Sequence, residues 1–128
     1  MATSESPAVR RRDGVAVIDL TGDVNRDAEE PLEVAWARAT SERPDAVVLN
    51  FRAAGYINST GIALIVGLLA RARAAGLDVR AYGLSPHYRE IFEITRLADY
   101  LDIHEDETSA VTGVRQERAA TPREGSTT

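Results

Sequence analysis

The short apolar run Ala46-Val47-Val48-Leu49, placed ahead of a helix-forming stretch, does most to limit the folds open to this chain. A β-branched run without polar alternation suits a strand covered on both faces, as in a parallel sheet. Beyond the stretch Asn50–Gly61, Ile62, Ile65, Val66, Leu69 and Ala72 recur at helical spacing, and Leu64 and Leu68 widen the stripe. Ser59 is the natural N-cap, its hydroxyl able to accept a backbone N–H of the first turn. Arg71 and Arg73 suit the negative end of the helix dipole, and Gly76 suits a left-handed C-terminal cap. Strand, loop and helix in this order predict a βα unit that presents a hydroxyl at the positive end of a buried helix.

The rest of the chain repeats the pattern. Residues 1–6 are small and polar and are expected to be disordered. Pro7 to Arg12 is expected as a short edge strand and Gly14 to Leu20 as a second strand, which Thr21-Gly22-Asp23-Val24-Asn25 ends. Asn25 or Asp27 can cap the next helix, which starts near Pro31 and turns Leu32, Ala35, Trp36 and Ala39 inward. Leu77 to Gly83 reads as another strand. Ser85 caps a third helix with Pro86 at its favoured first position, and Ile91, Phe92, Ile94 and Leu97 supply its buried stripe. Leu101 to His104 is a last short strand, and Thr108 can cap a terminal helix that runs to about Ala119 and is weakened by Gly113. Strands alternating with helices imply right-handed crossovers. The expected fold is α/β: a mostly parallel sheet of four to five strands, an antiparallel N-terminal edge strand and three to four helices. One domain over residues 7–112 is expected, followed by a flexible tail, 113–128.

Composition excludes several chemistries. The chain has no cysteine, hence no disulfide, thiolate metal site or cysteine nucleophile. It has no lysine either, which removes a phosphate-binding loop of the G-x-x-x-x-G-K-[ST] type. A formal charge of −5 argues against nonspecific nucleic-acid binding. Met1 to Arg12 lacks the apolar core of a signal peptide, and no apolar run approaches membrane-spanning length. A cytoplasmic protein that engages neither nucleic acid nor membrane is the expectation.

The segment Tyr56-Ile57-Asn58-Ser59-Thr60-Gly61-Ile62 resembles the signature of STAS domains, specifically that of bacterial anti-sigma-factor antagonists. In that family a short strand leads to a D-S-[ST]-G turn whose first serine is phosphorylated by an anti-sigma-factor kinase. Ser59, Thr60 and Gly61 match the last three positions, and Asn58 stands where the family usually has Asp. Gly22-Asp23-Val24-Asn25 is similar to the family's G-[ED]-[LIV]-D element, with Asn25 where an acid is common. Gly83 through Ala98 is similar to its third βα unit. The resemblance implies partner switching. Ser59 is then the phosphorylation site, and Asn25, Tyr56, Ile57, Asn58, Ser59, Thr60 and Ile62 form the docking patch. The partners implied are an anti-sigma-factor serine kinase and a serine phosphatase that restores Ser59. ATP and its metal belong to the kinase, so no cofactor is expected here.

Two other readings compete for the same residues. Catalysis by Ser59 would need a histidine base and an orienting acid, yet His87 and His104 lie in no recognisable motif and G-x-S-x-G is absent. No enzymatic activity is expected. Asn at both Asn25 and Asn58 supports an alternative, a STAS interaction module or scaffold subunit without a phosphorylation cycle, in a signalling or transporter complex.

Overall fold

The computed structural model describes residues 7–120, the side chains of 114–120 excepted, so residues 1–6 and 121–128 of the expected tails lie outside it. Strand β1 (Ala8–Arg12) turns into β2 (Val15–Val24) through Asp13 and Gly14, both at positive φ (53° and 81°). That geometry matches the right-handed twist of an antiparallel hairpin. There follow helix α1 (Glu29–Thr40), β3 (Ala46–Ile57), α2 (Ser59–Ala74), β4 (Asp78–Tyr82), α3 (Pro86–Ile94), β5 (Asp102–His104) and α4 (Glu107–Ala120). Short 3-10 turns occupy Arg26–Ala28 and Leu97–Asp99. The strands lie in the order β1-β2-β3-β4-β5, with β1 antiparallel to β2 and every other pair parallel. This is the expected α/β sheet with its antiparallel edge.

Alternation along the strands builds two cores. Ala16, Ile18, Val47, Leu49, Val79 and Ala81 face α1, α2 and α3, and Phe92 of α3 meets Phe51 edge-on with ring centroids 5.8 Å apart. Val15, Val17, Ala46, Val48 and Tyr82 face the other way, under Ala110 and Val111 of α4. Leu32, Ala35, Trp36 and Ala39 are the buried residues of α1, as the spacing predicts. Gly76 adopts φ 68°, and the Leu77 and Gly76 N–H groups donate to Ala72 and Arg73 carbonyls, closing α2 in a Schellman motif.

Several expectations need correction. β2 does not end at Thr21: it continues to Val24 through register shifts beside Thr21 and Gly22, because the far half of β3 runs alongside and pairs with it. β3 likewise continues to Ile57, where a loop was expected. On α3, Phe92 is fully buried whereas Ile94 is 70% exposed, and Val66 of α2 is 44% exposed. The terminal helix begins at Glu107 and is capped by Asp106, whose carboxylate accepts the Ser109 N–H at 2.8 Å, not by Thr108. Its end at Ala120 is close to the expected one at about Ala119.

Gly113, a helix breaker by composition, has a packing reason. A Cβ there would lie 2.8 Å from the guanidinium of Arg80, a side chain buried under α4. The start of α4 is tied to the sheet by Glu107, which accepts from Arg10 at 2.7 Å, Arg12 at 3.0 Å and the Tyr82 hydroxyl at 2.7 Å. Arg10 above all, with Tyr82 and Arg12, holds the Glu107 carboxyl down to about 2. Burial first, then the bond to Glu107, pushes the Tyr82 phenol up to about 12.

Candidate functional site

The segment ahead of α2 is held from three sides. The Tyr56 N–H donates to Asp23 Oδ1 at 2.9 Å, the Ile57 N–H to the Tyr88 hydroxyl at 3.0 Å, and the Asn58 N–H to the Val24 carbonyl at 3.3 Å. β4 pairs with β3 only as far as Asn50, so beyond it an α3 side chain, Tyr88, supplies the partner that a strand would have supplied. Val24 pairs with Ile57, and the two residues that follow them, Asn25 and Asn58, therefore leave the sheet side by side.

Both asparagines are caps. Asn25 Oδ1 accepts the Asp27 N–H at 2.9 Å and starts the 3-10 turn. Asn58, extended at φ −91° and ψ −176°, accepts the Gly61 N–H at 2.8 Å and caps α2. The expectation that Ser59 is the cap is corrected. A cap residue must be extended, β3 keeps the chain extended through Ile57, and the change to helix falls one residue before the serine. Ser59 is instead the first helical residue, its side chain exposed.

Tyr56 is 76% exposed, and Asn58, Ser59 and Thr60 are exposed with it. Asn25 and Ile62 are half-buried at the margin. Ile57 is only 7% exposed and belongs to the core, which removes its side chain from the accessible patch. Asp23, Gly61 and Tyr88 support the patch without having been singled out for it in the sequence. Gly61 sits in the motif; Asp23 and Tyr88 act through contacts between distant segments and leave no local signal.

The chemistry open to this arrangement is narrow. His87 lies edge-on to Tyr88 with ring centroids 5.0 Å apart, and His104 Nε2 is 3.1 Å from Arg80 Nη1; neither is hydrogen-bonded to Ser59. Among the described residues no group of His, Cys, Asp and Glu could hold a metal ion, and no helix is long and apolar enough to cross a membrane. The hydroxyl at the start of α2 stands where the helix dipole and the first-turn N–H groups favour negative charge. It is suited to accept a phosphoryl group.

The family model for the STAS domain matches residues 6–110. The protein BtrV of Bordetella bronchiseptica, named as a candidate anti-sigma factor antagonist, is 31% identical over 83 residues, 65% of this chain and 72% of that protein. An anti-sigma factor antagonist from Mycobacterium paratuberculosis superposes with a TM-score of 0.73 at 22% identity, over 88% of this chain and 95% of its own. The antagonist SpoIIAA in its unphosphorylated form gives a TM-score of 0.67 at 18% identity, over 86% and 98%. Its phosphorylated form, from Bacillus, gives 0.66 at 20%, over 86% and 100%.

Proposed function

The chain belongs to the STAS domain family, and from that premise we propose that it is an anti-sigma-factor antagonist switched by phosphorylation of Ser59. Unphosphorylated, it docks on an anti-sigma-factor serine kinase in the cytoplasm and frees the sigma factor. The kinase transfers phosphate from ATP to Ser59 and a serine phosphatase removes it, so transcription is regulated without contact between this chain and nucleic acid or membrane. The chain itself catalyses nothing and needs no cofactor.

The observation that carries this reading is the exposed Ser59 hydroxyl at the first position of α2, relieved of capping by Asn58. The likeness to antagonists, one of them solved in both phosphorylation states, supports it. Asn in place of Asp at Asn58 favours a second reading, a phosphorylation-independent interaction module. Protein purified from its own cells, analysed by mass spectrometry at Ser59 together with whatever co-purifies, separates the two. Phosphate on Ser59 and a bound kinase are expected. An unmodified Ser59 under every growth condition, with a partner still bound, would replace the switch by the scaffold.

A further inference from the structure

Of the five large apolar side chains exposed among the described residues, two, Val66 at 44% and Tyr100 at 53%, line one cleft. It opens between the second half of α2 and the turn Leu97–Asp99 and encloses about 390 Å³, with Leu69, Ala70 and Leu97 completing its apolar walls. Pockets that take small molecules usually measure about 300–1,000 Å³. Two cations also line the cleft, Arg73 and Arg96. Arg96 is paired with Asp99 at 2.7 Å. Arg73 lies over the Tyr100 ring, 5.2 Å from its centroid, and has no carboxylate partner among the described residues. The ring holds the guanidinium without consuming its N–H groups, so the fork is left for a carboxylate. The Thr95 hydroxyl donates to the Ile91 carbonyl at 2.7 Å, and its proton is already spent. The last carbonyls of α2, which would repel an anion, are taken by the N–H groups of Ala75, Gly76 and Leu77.

We propose that this cleft binds a small monocarboxylic acid with an apolar tail, its carboxylate on Arg73 and its tail against Val66, Leu69, Ala70 and Leu97. One uncompensated positive charge matches one carboxylate, which the guanidinium can hold by two parallel hydrogen bonds. A dianion would bring surplus negative charge, an amine would face two arginines, and a neutral chain would leave the fork of Arg73 unused. Arg73 is about 21 Å along α2 from Ser59 at 1.5 Å per residue, so the site is separate from the serine loop and does not rest on the proposed switch. Residues 1–6 and 121–128 hold Met1 as their one large apolar side chain, too little to fill the cleft. A second copy of this chain is disfavoured by charge, because an isologous contact would set Arg73 and Arg96 against themselves.

The probe is sodium octanoate, titrated into the full chain at neutral pH by calorimetry and followed through amide chemical shifts. Saturable one-to-one binding is expected, with the largest shifts at Val66, Ala70, Arg73, Leu97 and Tyr100. Octanol, octylamine and inorganic phosphate should each bind at least tenfold more weakly. Arg73→Gln should weaken octanoate at least tenfold, and high salt should weaken wild type more than it weakens this variant. Ala70→Leu fills the cleft from an exposed helical position and should abolish binding while the thermal midpoint is kept. Ala70→Met takes its place if the leucine variant unfolds. Arg71→Gln, whose guanidinium is held by Glu33 outside the cleft, should bind within twofold of wild type. Octanoate that does not saturate, that binds Ala70→Leu as it binds wild type, or that binds no tighter than octanol overturns the proposal. Sedimentation showing a dimer that Ala70→Leu dissociates would assign the cleft to a second copy and overturn it as well.

Discussion

The backbone carbonyl of Val24 lies so close to Gly61 that a Cβ on Gly61 would collide with it. The end of β2 and the start of α2 are thereby locked together beneath Ser59. Gly61→Ala should force the two apart and cost about 1–3 kcal/mol, the range for overpacking. Gly67, in the same helix, has nothing within 4 Å of the corresponding position. Gly67→Ala should instead stabilise by about 0.5–1 kcal/mol, the helix preference of alanine over glycine. Urea unfolding of the two variants checks the opposite signs.

Ser59 makes no cap, so Ser59→Ala should leave stability within about 0.5 kcal/mol, as for an ordinary surface change. Ser59→Asp and phosphoserine should keep the thermal midpoint within a few degrees, since negative charge at a helix start is worth about 0.3–1 kcal/mol. Docking has the opposite balance. A contact built around a neutral hydroxyl must desolvate a dianion, and even ~3 kcal/mol lowers affinity more than a hundredfold. Calorimetric titration against the kinase should find wild type and Ser59→Ala bound and the charged forms released.

Asn58→Ala removes the cap and should cost about 1 kcal/mol, whereas Asn58→Asp caps equally well and should be close to neutral. The difference should emerge in the switch. Asp beside a phosphorylated serine adds like-charge repulsion that Asn58 lacks, so transfer rate or phosphoserine lifetime should change by more than about twofold, roughly 0.4 kcal/mol. Equal rates and lifetimes for the two forms would contradict this.

Tyr88→Phe keeps the ring and strips the Ile57 N–H of its acceptor. The unpaired group should cost about 1–3 kcal/mol. Amide exchange at Ile57 should accelerate more than exchange in the middle of β3, which shows that the loss is local to the Ser59 loop.

Glu107 predicts acid sensitivity. Its carboxyl is held at about 2 in the fold against an ordinary 4.5, chiefly by Arg10. A depressed carboxylate stabilises above its unfolded value, and that contribution is lost as pH falls from about 4.5 to about 2. Asp19, lowered by the same Arg10, titrates in the same direction. Glu107→Gln should therefore flatten, without abolishing, the fall in stability over this range. Tyr82 carries the opposite sign: raised to about 12, it contributes below pH 10 and fails as pH climbs toward 12. Denaturation curves across pH test both limbs.

Local chemistry made much of this protein legible. The spacing of Leu32, Ala35, Trp36 and Ala39 identifies the buried face of α1, Ser85-Pro86 starts α3, and Gly76 ends α2. Each signal lies within a few residues of the effect it produces, so periodicity and capping suffice. The position of the Ser59 loop was readable in the same way, because a buried strand and an apolar helix bracket it.

Tertiary structure decided what depends on residues far apart in the chain. β2 and β3 extend each other past Thr21 and Asn50 because each offers the other's backbone a partner, and that extension moved the cap of α2 from Ser59 to Asn58. Ile94 faces outward although it was expected in the buried stripe, because Phe92 turns inward against Phe51 and residues two apart on a helix do not share a face. Gly61 is needed only because Val24 lies above it, Tyr88 matters only because β4 stops short, and Gly113 fits only because Arg80 is beneath it. Sequence by itself determined the helices, most strands and the loop that holds the serine, through interactions that are local. Which side chain caps, which supports and which stays free was settled by packing between segments, where one atom's position depends on a neighbour that the local sequence does not contain.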